Sequence, residues 1–104
     1  MNNSNIAQQI QILLNQFNAK NFDYVILKAK QLLKKNPGYT IIYNLLGSSY
    51  QNLNNFEEAK INFKEGLKLE PNNIALMNNL GMTYKNLLQY DLANKLFLEI
   101  INKK

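Results

Sequence analysis

Acidic residues recur at a fixed interval of 34, at Asp23, Glu57 and Asp91. Acidic side chains can act as general acids or bases, but they work together with a second group such as a histidine, a cysteine or a paired carboxylate. The chain has no histidine and no cysteine, and it carries no glycine-rich phosphate loop. Glu57 and Glu58 are adjacent and cannot share one helix face. The sequence therefore predicts a protein without catalytic activity, cofactor or metal site.

The interval of 34 also relates residues of other types. The pairs are Gly47 and Gly81, Tyr50 and Tyr84, Phe56 and Tyr90, Ala59 and Ala93, Phe63 and Phe97, and Pro37 and Pro71. A period of this length, made of two helix-sized segments, is typical of helical hairpins stacked into a solenoid. Phe22 extends the register backward from Phe56. The sequence predicts a single domain, 1–104, of three units at about 6–39, 40–73 and 74–104.

Prolines and carboxylates position the predicted helices within these units. Proline cannot continue a helix, so Asn36-Pro37-Gly38 and Glu70-Pro71-Asn72-Asn73 are predicted turns. The six predicted helices span about 4–18, 22–35, 39–52, 56–69, 73–86 and 90–102. Asp23, Glu57 and Asp91 then lie at the start of the second helix of each unit, where a carboxylate interacts favourably with the helix dipole.

Small residues predict where the helices approach each other most closely. We expect Gly47 to face Ala59, and Gly81 to face Ala93, because small side chains permit close crossings. Gly66 lies inside a predicted helix, where glycine costs roughly 1 kcal/mol relative to alanine. We therefore expect the first helix of the next unit to press against Gly66.

The register resembles the tetratricopeptide repeat. The second unit carries Tyr43, Leu46, Gly47, Tyr50, Phe56, Ala59, Phe63, Gly66 and Pro71, and the third carries Met77, Leu80, Gly81, Tyr84, Tyr90, Ala93 and Phe97. The first unit departs from the pattern at Gln9, Leu13, Gln16 and Val25. The resemblance implies an all-α, right-handed superhelical solenoid of three helix-turn-helix repeats. It also implies a scaffold that binds a protein or peptide partner non-covalently in a concave groove.

In this family the first helix of each repeat lines the groove. The residues that the resemblance places there are Ile10, Gln11, Leu14, Phe17 and Asn18, then Ile41, Asn44, Leu45, Ser48 and Asn52, then Ala75, Asn78, Asn79, Met82 and Asn86. The three predicted first helices contain one charged residue, Lys85. A clamp for acidic peptide tails would need several cations at this surface. The lining instead combines amides with aliphatic side chains.

Two interpretations of the asparagines stay open. The segment Asn78-Asn79-Leu80-Gly81 resembles the asparagine ladder of O-linked N-acetylglucosamine transferase and kinesin light chains, with Asn44 displaced from it by one residue. Amide side chains donate and accept, so a row of them can hold a peptide backbone with little regard to its sequence. Alternatively, the 19 asparagines, ten isoleucines and 12 lysines without arginine reflect the drift of an AT-rich genome.

Charge and hydrophobicity limit the remaining functions. The net charge is +5, but without arginine the chain lacks the bidentate fork that recognises phosphates and bases. Nucleic acid is therefore an unfavoured partner, and a lysine-surface nucleic-acid accessory protein is retained as one alternative. A regulatory or targeting module acting beside a sulfotransferase or glycosyltransferase is another. No apolar run reaches the ~18 residues that span a membrane, and MNNSN does not resemble a secretory signal. We expect a cytoplasmic protein.

The last predicted helix carries more apolar residues than one buried stripe needs. They are Leu92, Leu96, Phe97, Leu98, Ile100 and Ile101. Contiguous apolar patches are rarely left uncovered on a monomer. We therefore predict that a second copy of the protein or another partner covers the outer face of this helix, including Leu96 and Ile100, which would produce a homo-oligomer in the first case.

Overall fold

A computed structural model describes residues 5–103. Within this range the chain forms six α-helices: α1 (Ile6–Asn18), α2 (Phe22–Lys35), α3 (Thr40–Asn52), α4 (Phe56–Leu69), α5 (Ile74–Asn86) and α6 (Tyr90–Asn102). From α2 onward, each boundary lies within one residue of the predicted one. The predicted start of the first helix, Ser4, and the last residue, Lys104, lie outside the described residues. The all-α prediction is confirmed.

Two first helices begin with a side-chain cap, all three second helices begin with an acidic first turn, and α3 begins with neither. Asn5 caps α1 by accepting a hydrogen bond from the Gln8 amide at 2.8 Å, and Asn73 caps α5 by accepting one from the Leu76 amide at 3.0 Å. The second helices α2, α4 and α6 have no side-chain cap, but each carries an acidic residue in its first turn. These acids are Asp23, Glu57 with Glu58, and Asp91. The predicted helix-start role of the carboxylates is confirmed.

One left-handed residue stands at the same place in the turn of every hairpin. Lys20, Asn54 and Leu88 have φ angles of 64°, 63° and 62°. Asparagine adopts this conformation readily, whereas a bulky residue such as leucine does so at a steric cost. The turns between hairpins lie at Pro37–Gly38 and Pro71–Asn72, as predicted.

The closest helix crossings are made by a glycine and a phenylalanine ring. A Cβ atom on Gly47 would lie 2.6 Å from Cε1 of Phe63, and one on Gly81 would lie 2.6 Å from Cε1 of Phe97. The atoms nearest to such a Cβ atom therefore belong to Phe63 and Phe97, and not to the predicted neighbours Ala59 and Ala93. The two alanines are fully buried one helical turn earlier, and the larger ring is what reaches across the crossing.

In the first hairpin the large and the small residue at the equivalent positions are exchanged between the two helices. Leu13 stands at the register position of Gly47, and Ala29 stands at that of Phe63. Both are buried in the hydrophobic core. A large residue on the first helix and a small one on the second thus replace the reverse arrangement. This exchange explains how the first unit departs from the repeat pattern and still packs.

Packing between hairpins follows the prediction for Gly66. A Cβ atom there would lie 2.9 Å from Cδ1 of Leu76 on α5 and 3.3 Å from Cβ of Tyr43 on α3. Within residues 5–103, each helix contacts helices of its own hairpin and of the adjacent one only. The result is a solenoid with extents of 49 × 26 × 21 Å. None of the described helices has the length and apolar character needed to cross a membrane.

Candidate functional site

Two polar bridges join the first helices of the second and third units. Nδ2 of Asn79 donates a hydrogen bond to Oδ1 of Asn44 at 2.7 Å. Oγ1 of Thr83 lies 2.6 Å from Oε1 of Gln51 and 2.8 Å from the carbonyl oxygen of Asn79. We call Asn44, Gln51, Asn79 and Thr83 the polar seam. It crosses from α3 to α5 through side chains that are buried or half-buried.

Helical spacing brings these four side chains together. Asn44 and Gln51 are seven residues apart, which is two turns on one face of α3. Asn79 and Thr83 are four residues apart and share one face of α5. The two helices lie side by side, so the two pairs meet.

Three of the four equivalent register positions are apolar at the junction between α1 and α3. Ile10 and Leu45 replace Asn44 and Asn79, and Phe17 replaces Gln51. Ser49, at the position of Thr83, is fully buried, and its hydroxyl has no hydrogen-bond partner. The polar seam is thus a local feature of the α3–α5 junction.

The predicted groove residues divide into three groups by exposure. The exposed ones are Gln11, Asn18, Ile41, Asn52, Ala75, Asn78, Met82 and Asn86, and the half-buried ones are Ile10, Leu14, Phe17, Asn44, Ser48 and Asn79. Leu45 contradicts its prediction, because it is only 6% exposed and belongs to the hydrophobic core. Asn79, which stands 34 residues after Leu45, lies on the side of α5 that faces α3. By the same register, Leu45 lies on the side of α3 that faces α1. We call the surface formed by α1, α3 and α5 the first-helix face.

Several of these side chains are engaged locally. The Phe17 ring meets the Phe22 ring edge to face, with centroids 5.4 Å apart, and so supports the corner between α1 and α2. Nδ2 of Asn52 donates to the Ser48 carbonyl oxygen at 2.8 Å. Nε2 of Gln11 donates to Oδ1 of Asn15 at 3.1 Å. The two amides are thus engaged within their own helices, whereas Phe17 is held by a residue of the next helix.

Gln51 and Thr83 were not among the predicted groove residues. Ser49 and Thr83 place a hydroxyl at the interval of 34, which is the signal that could have found Thr83. The offset of Asn44 from Asn79 was interpreted as a displacement within a ladder. The offset of 35 residues instead lets the two amides bond to each other.

A cavity of about 450 Å³ opens at the N-terminal ends of α3 and α5. Its lining is Gly38, Tyr39, Thr40, Ile41, Asn44, Glu70, Asn73 and Ala75. Nδ2 of Asn73 donates to Oε1 of Glu70 at 2.9 Å while its Oδ1 caps α5. Asn73 therefore fixes the carboxylate of Glu70, which is the one charged group in this lining.

Most charges lie on the second helices, away from the polar seam. Lys60 pairs with Glu57 at 3.0 Å, and Lys68 pairs with Glu65 at 2.7 Å. The hydrogen bond with Glu65 and its negative charge raise the pKa of Lys68. Among the described residues, no group of three side chains could hold a metal ion.

The most exposed apolar residues of the last helix are not the two that were predicted to be covered. Leu96 and Ile100 are half-buried, and Leu96 packs against the core. Leu98 and Ile101 are 60% and 64% exposed, and Leu92 is also exposed. Coverage of this helix by a second copy stays a prediction.

Sequence models of the tetratricopeptide repeat match residues 41–73 and 62–93. Together they cover residues 41–93, a little over half of the chain. The chain belongs to the tetratricopeptide repeat family. Membership of this family supports the interpretation of the chain as a protein-interaction scaffold, and such repeats are typical of non-catalytic proteins. No curated protein sequence matches the chain.

Solved structures with the same fold include several of MamA. MamA 41-end from Desulfovibrio magneticus RS-1 has a TM-score of 0.88 at 15% identity, over 95% of this chain and 56% of that one. MamA AMB-1 in its P212121 crystal form has a TM-score of 0.84 at 22% identity, over 93% of this chain and 57% of that one. MamA MSR-1 has a TM-score of 0.72 at 24% identity, over 91% of this chain and 59% of that one.

The TM-scores show that this chain and MamA share one fold. The chain spans 56% to 59% of the length of these three MamA chains. It thus corresponds to little more than half of their length.

Proposed function

We propose that this tetratricopeptide repeat chain is a non-catalytic scaffold that binds an extended peptide, or an extended segment of a partner protein. In this proposal the first-helix face forms the concave groove that holds it. The observation that carries the proposal is the hydrogen bond between Asn79 and Asn44, which places two amides side by side on an almost uncharged surface.

The two amides keep capacity for a ligand after they bond to each other. A carboxamide has two donor hydrogens and an acceptor oxygen with two lone pairs. The bond uses one hydrogen of Asn79 and one lone pair of Asn44, and leaves the Asn44 NH₂ group and the Asn79 oxygen without a partner in the pair. These groups match the alternating C=O and N–H groups of a peptide backbone. Binding through the backbone would tolerate many peptide sequences.

Neighbouring groups suit the side chains of such a peptide. Ile41 and Met82 are exposed apolar residues on the same face, and Asn78 is an exposed amide. In the recognition of extended peptides, hydrogen bonds commonly bind the peptide backbone while neighbouring pockets bind its side chains. A ligand with uncharged residues at its centre therefore fits better than an acidic tail.

The test uses peptides selected from a random twelve-residue library displayed on phage. Enriched peptides are titrated calorimetrically against the parent, the Asn44→Ala, Asn79→Ala, Asn86→Ala triple variant, and the control Asn94→Ala on α6. Each lost hydrogen bond is worth about 0.5–1.5 kcal/mol, so the triple variant should bind at least about tenfold more weakly. The control should bind like the parent. Removing Asn44 and Asn79 together avoids leaving one half-buried amide without its partner.

Equal affinity of the triple variant and the parent would contradict the proposal and would favour drift as the origin of the asparagines. Contact would then be sought at Phe17 and Met82. No specific observation on the described residues supports either alternative, the transferase-associated module or the lysine-surface nucleic-acid accessory protein. Lys60 and Lys68, for example, are paired with carboxylates of their own helix.

A further inference from the structure

We infer that the groove selects peptides with a basic residue at one end and an acidic residue five or six positions away, recognised by Glu70 and Lys85 respectively. This inference rests on the proposed function, since it names the kind of peptide that the first-helix face would take. The amides alone would accept a peptide with little regard to its sequence. The inference adds to the proposed function a charge pattern that the peptide must carry.

The basic end of the ligand is expected at the cavity between the N-terminal ends of α3 and α5. Glu70 is exposed there, and the hydrogen bond from Asn73 holds its carboxylate at the cavity wall. No lysine contributes to the lining of this cavity. Tyr39, also part of the lining, adds an exposed ring over which a cation can lie. The chemistry of this end therefore suits an ammonium or guanidinium group.

The acidic end of the ligand is expected at the other end of α5. Lys85 is exposed, and it stands at the register position of Gln51. Gln51 lies in the polar seam, where it bonds to Thr83. On α3 this position faces the following first helix α5, so by the same register Lys85 lies on the exposed side of α5 that faces away from α3. Lys85 is also the one charged residue in α1, α3 and α5.

The spacing of the two charges sets the length of the peptide between them. Asn73, which holds Glu70, and Lys85 are 12 residues apart along α5. At about 1.5 Å per residue this is about 18 Å. An extended peptide rises about 3.3 Å per residue, so about five or six residues bridge the distance. The polar seam lies between the two ends and carries no charge.

Both charges are free to meet a ligand. Within the described residues neither Glu70 nor Lys85 forms an ion pair. Lys103, which approaches the turn before α5, donates instead to Oδ1 of Asn72 at 2.9 Å. An acid near the start of α5 and a lysine in its last turn also stabilise the helix dipole. Stability must therefore be measured separately from binding.

The test uses four end-blocked synthetic peptides with a common uncharged core of serine, threonine and leucine. One carries lysine and glutamate six positions apart, one carries two lysines, one carries two glutamates, and one is uncharged. Binding is followed by NMR chemical shifts of the backbone amides of α3 and α5. The lysine–glutamate peptide should bind best, by about two- to fivefold for each matched charge, the range of exposed ion pairs. The ranking should collapse in about 0.5 M salt.

Charge reversal of the protein sharpens the test. Glu70→Lys should prefer the peptide with two glutamates, and Lys85→Glu the peptide with two lysines. The double variant should prefer the lysine–glutamate peptide again, because that peptide can bind in the opposite direction. Glu99→Lys and Lys95→Glu, which alter exposed residues of α6, are matched controls and should keep the ranking of the parent. Thermal melts of every variant report the dipole contribution.

The outcomes separate the inference from the proposed function. If all four peptides shift α3 and α5 resonances with equal affinity, the charge pattern is overturned while peptide binding in the groove stands. If neither these peptides nor the library-selected ones shift those resonances, both are overturned. A ranking that follows the reversals at Glu70 and Lys85 supports the inference.

Discussion

The crossing of Gly47 over Phe63 allows a methyl group to be used as a probe of the packing. In Gly47→Ala the new Cβ atom would lie 2.6, 2.7 and 3.0 Å from three carbons of the Phe63 ring. Phe63 is 0% exposed, so its ring cannot move away into solvent. Three contacts this short justify the upper part of the overpacking range, about 2–3 kcal/mol. Alanine in a helix recovers about 1 kcal/mol relative to glycine. The expected net loss of stability is about 1–2 kcal/mol.

Two other glycines provide matched controls for the same added methyl group. Gly81→Ala meets Phe97 at 2.6 Å, but Phe97 is only half-buried and can shift, so the packing cost and the helix gain should nearly cancel. Gly38 has no atom within 4 Å of the added carbon and no positive φ. Gly38→Ala should therefore be neutral or stabilising by up to about 1 kcal/mol.

Urea denaturation measures the free energy of unfolding of the three variants, and a change of 1 kcal/mol corresponds to about 4–8 °C in Tm. The expected order of stability is Gly47→Ala lowest, Gly81→Ala intermediate and Gly38→Ala highest. A Gly47→Ala variant as stable as the parent would refute the packing argument. The combination Gly47→Leu with Phe63→Ala copies the arrangement of Leu13 and Ala29. It should lose at least about 1 kcal/mol less than the sum of the two single changes.

Three further predictions concern other parts of the solenoid. Ala59→Leu should cost about 1–3 kcal/mol because Ala59 is fully buried, and an unchanged thermal melt would contradict the assigned register. Leu88→Asn should stabilise by up to about 1 kcal/mol in urea denaturation, because Leu88 is 71% exposed with φ 62° and packing gives leucine little advantage there; a loss of stability would show that it has a packing role. If a second copy covers α6, light scattering should show a mass that rises with concentration and falls in Leu96→Lys and Ile100→Lys, whereas a strict monomer that both variants leave unchanged would rule this out.

The helix boundaries were predictable because residues with strong local preferences repeat. Pro37 and Pro71 end the hairpins, and the acids at 23, 57 and 91 start the second helices, so little tertiary information is needed. The contact between Gly66 and Leu76 was also predictable, since a glycine inside a helix indicates close packing. The partner of Gly47 was not. Ala59 and Phe63 are one turn apart on the same face, and only the tilt of the helices decides which one reaches the glycine.

The groove was predictable to the level of helix faces but not of individual contacts. Asn78, Met82 and Asn86, which the repeat register assigns to the groove, are exposed, and their contact with a ligand stays a prediction. The register could not separate Leu45, which turns toward the preceding helix, from residues that turn toward solvent. The bond between Asn44 and Asn79 depends on the distance between α3 and α5, which the sequence period does not encode.

The central claim is that a peptide binds along the first-helix face. The most direct measurement is an NMR titration of the isotope-labelled protein with a library-selected peptide, following all assigned backbone and side-chain amides. We expect the largest shifts at the side-chain amides of Asn44, Asn78 and Asn79 and at the backbone of α3 and α5, with little change in α2 and α4. Shifts confined to the second helices or to α6, with these asparagines unperturbed, would contradict the central claim.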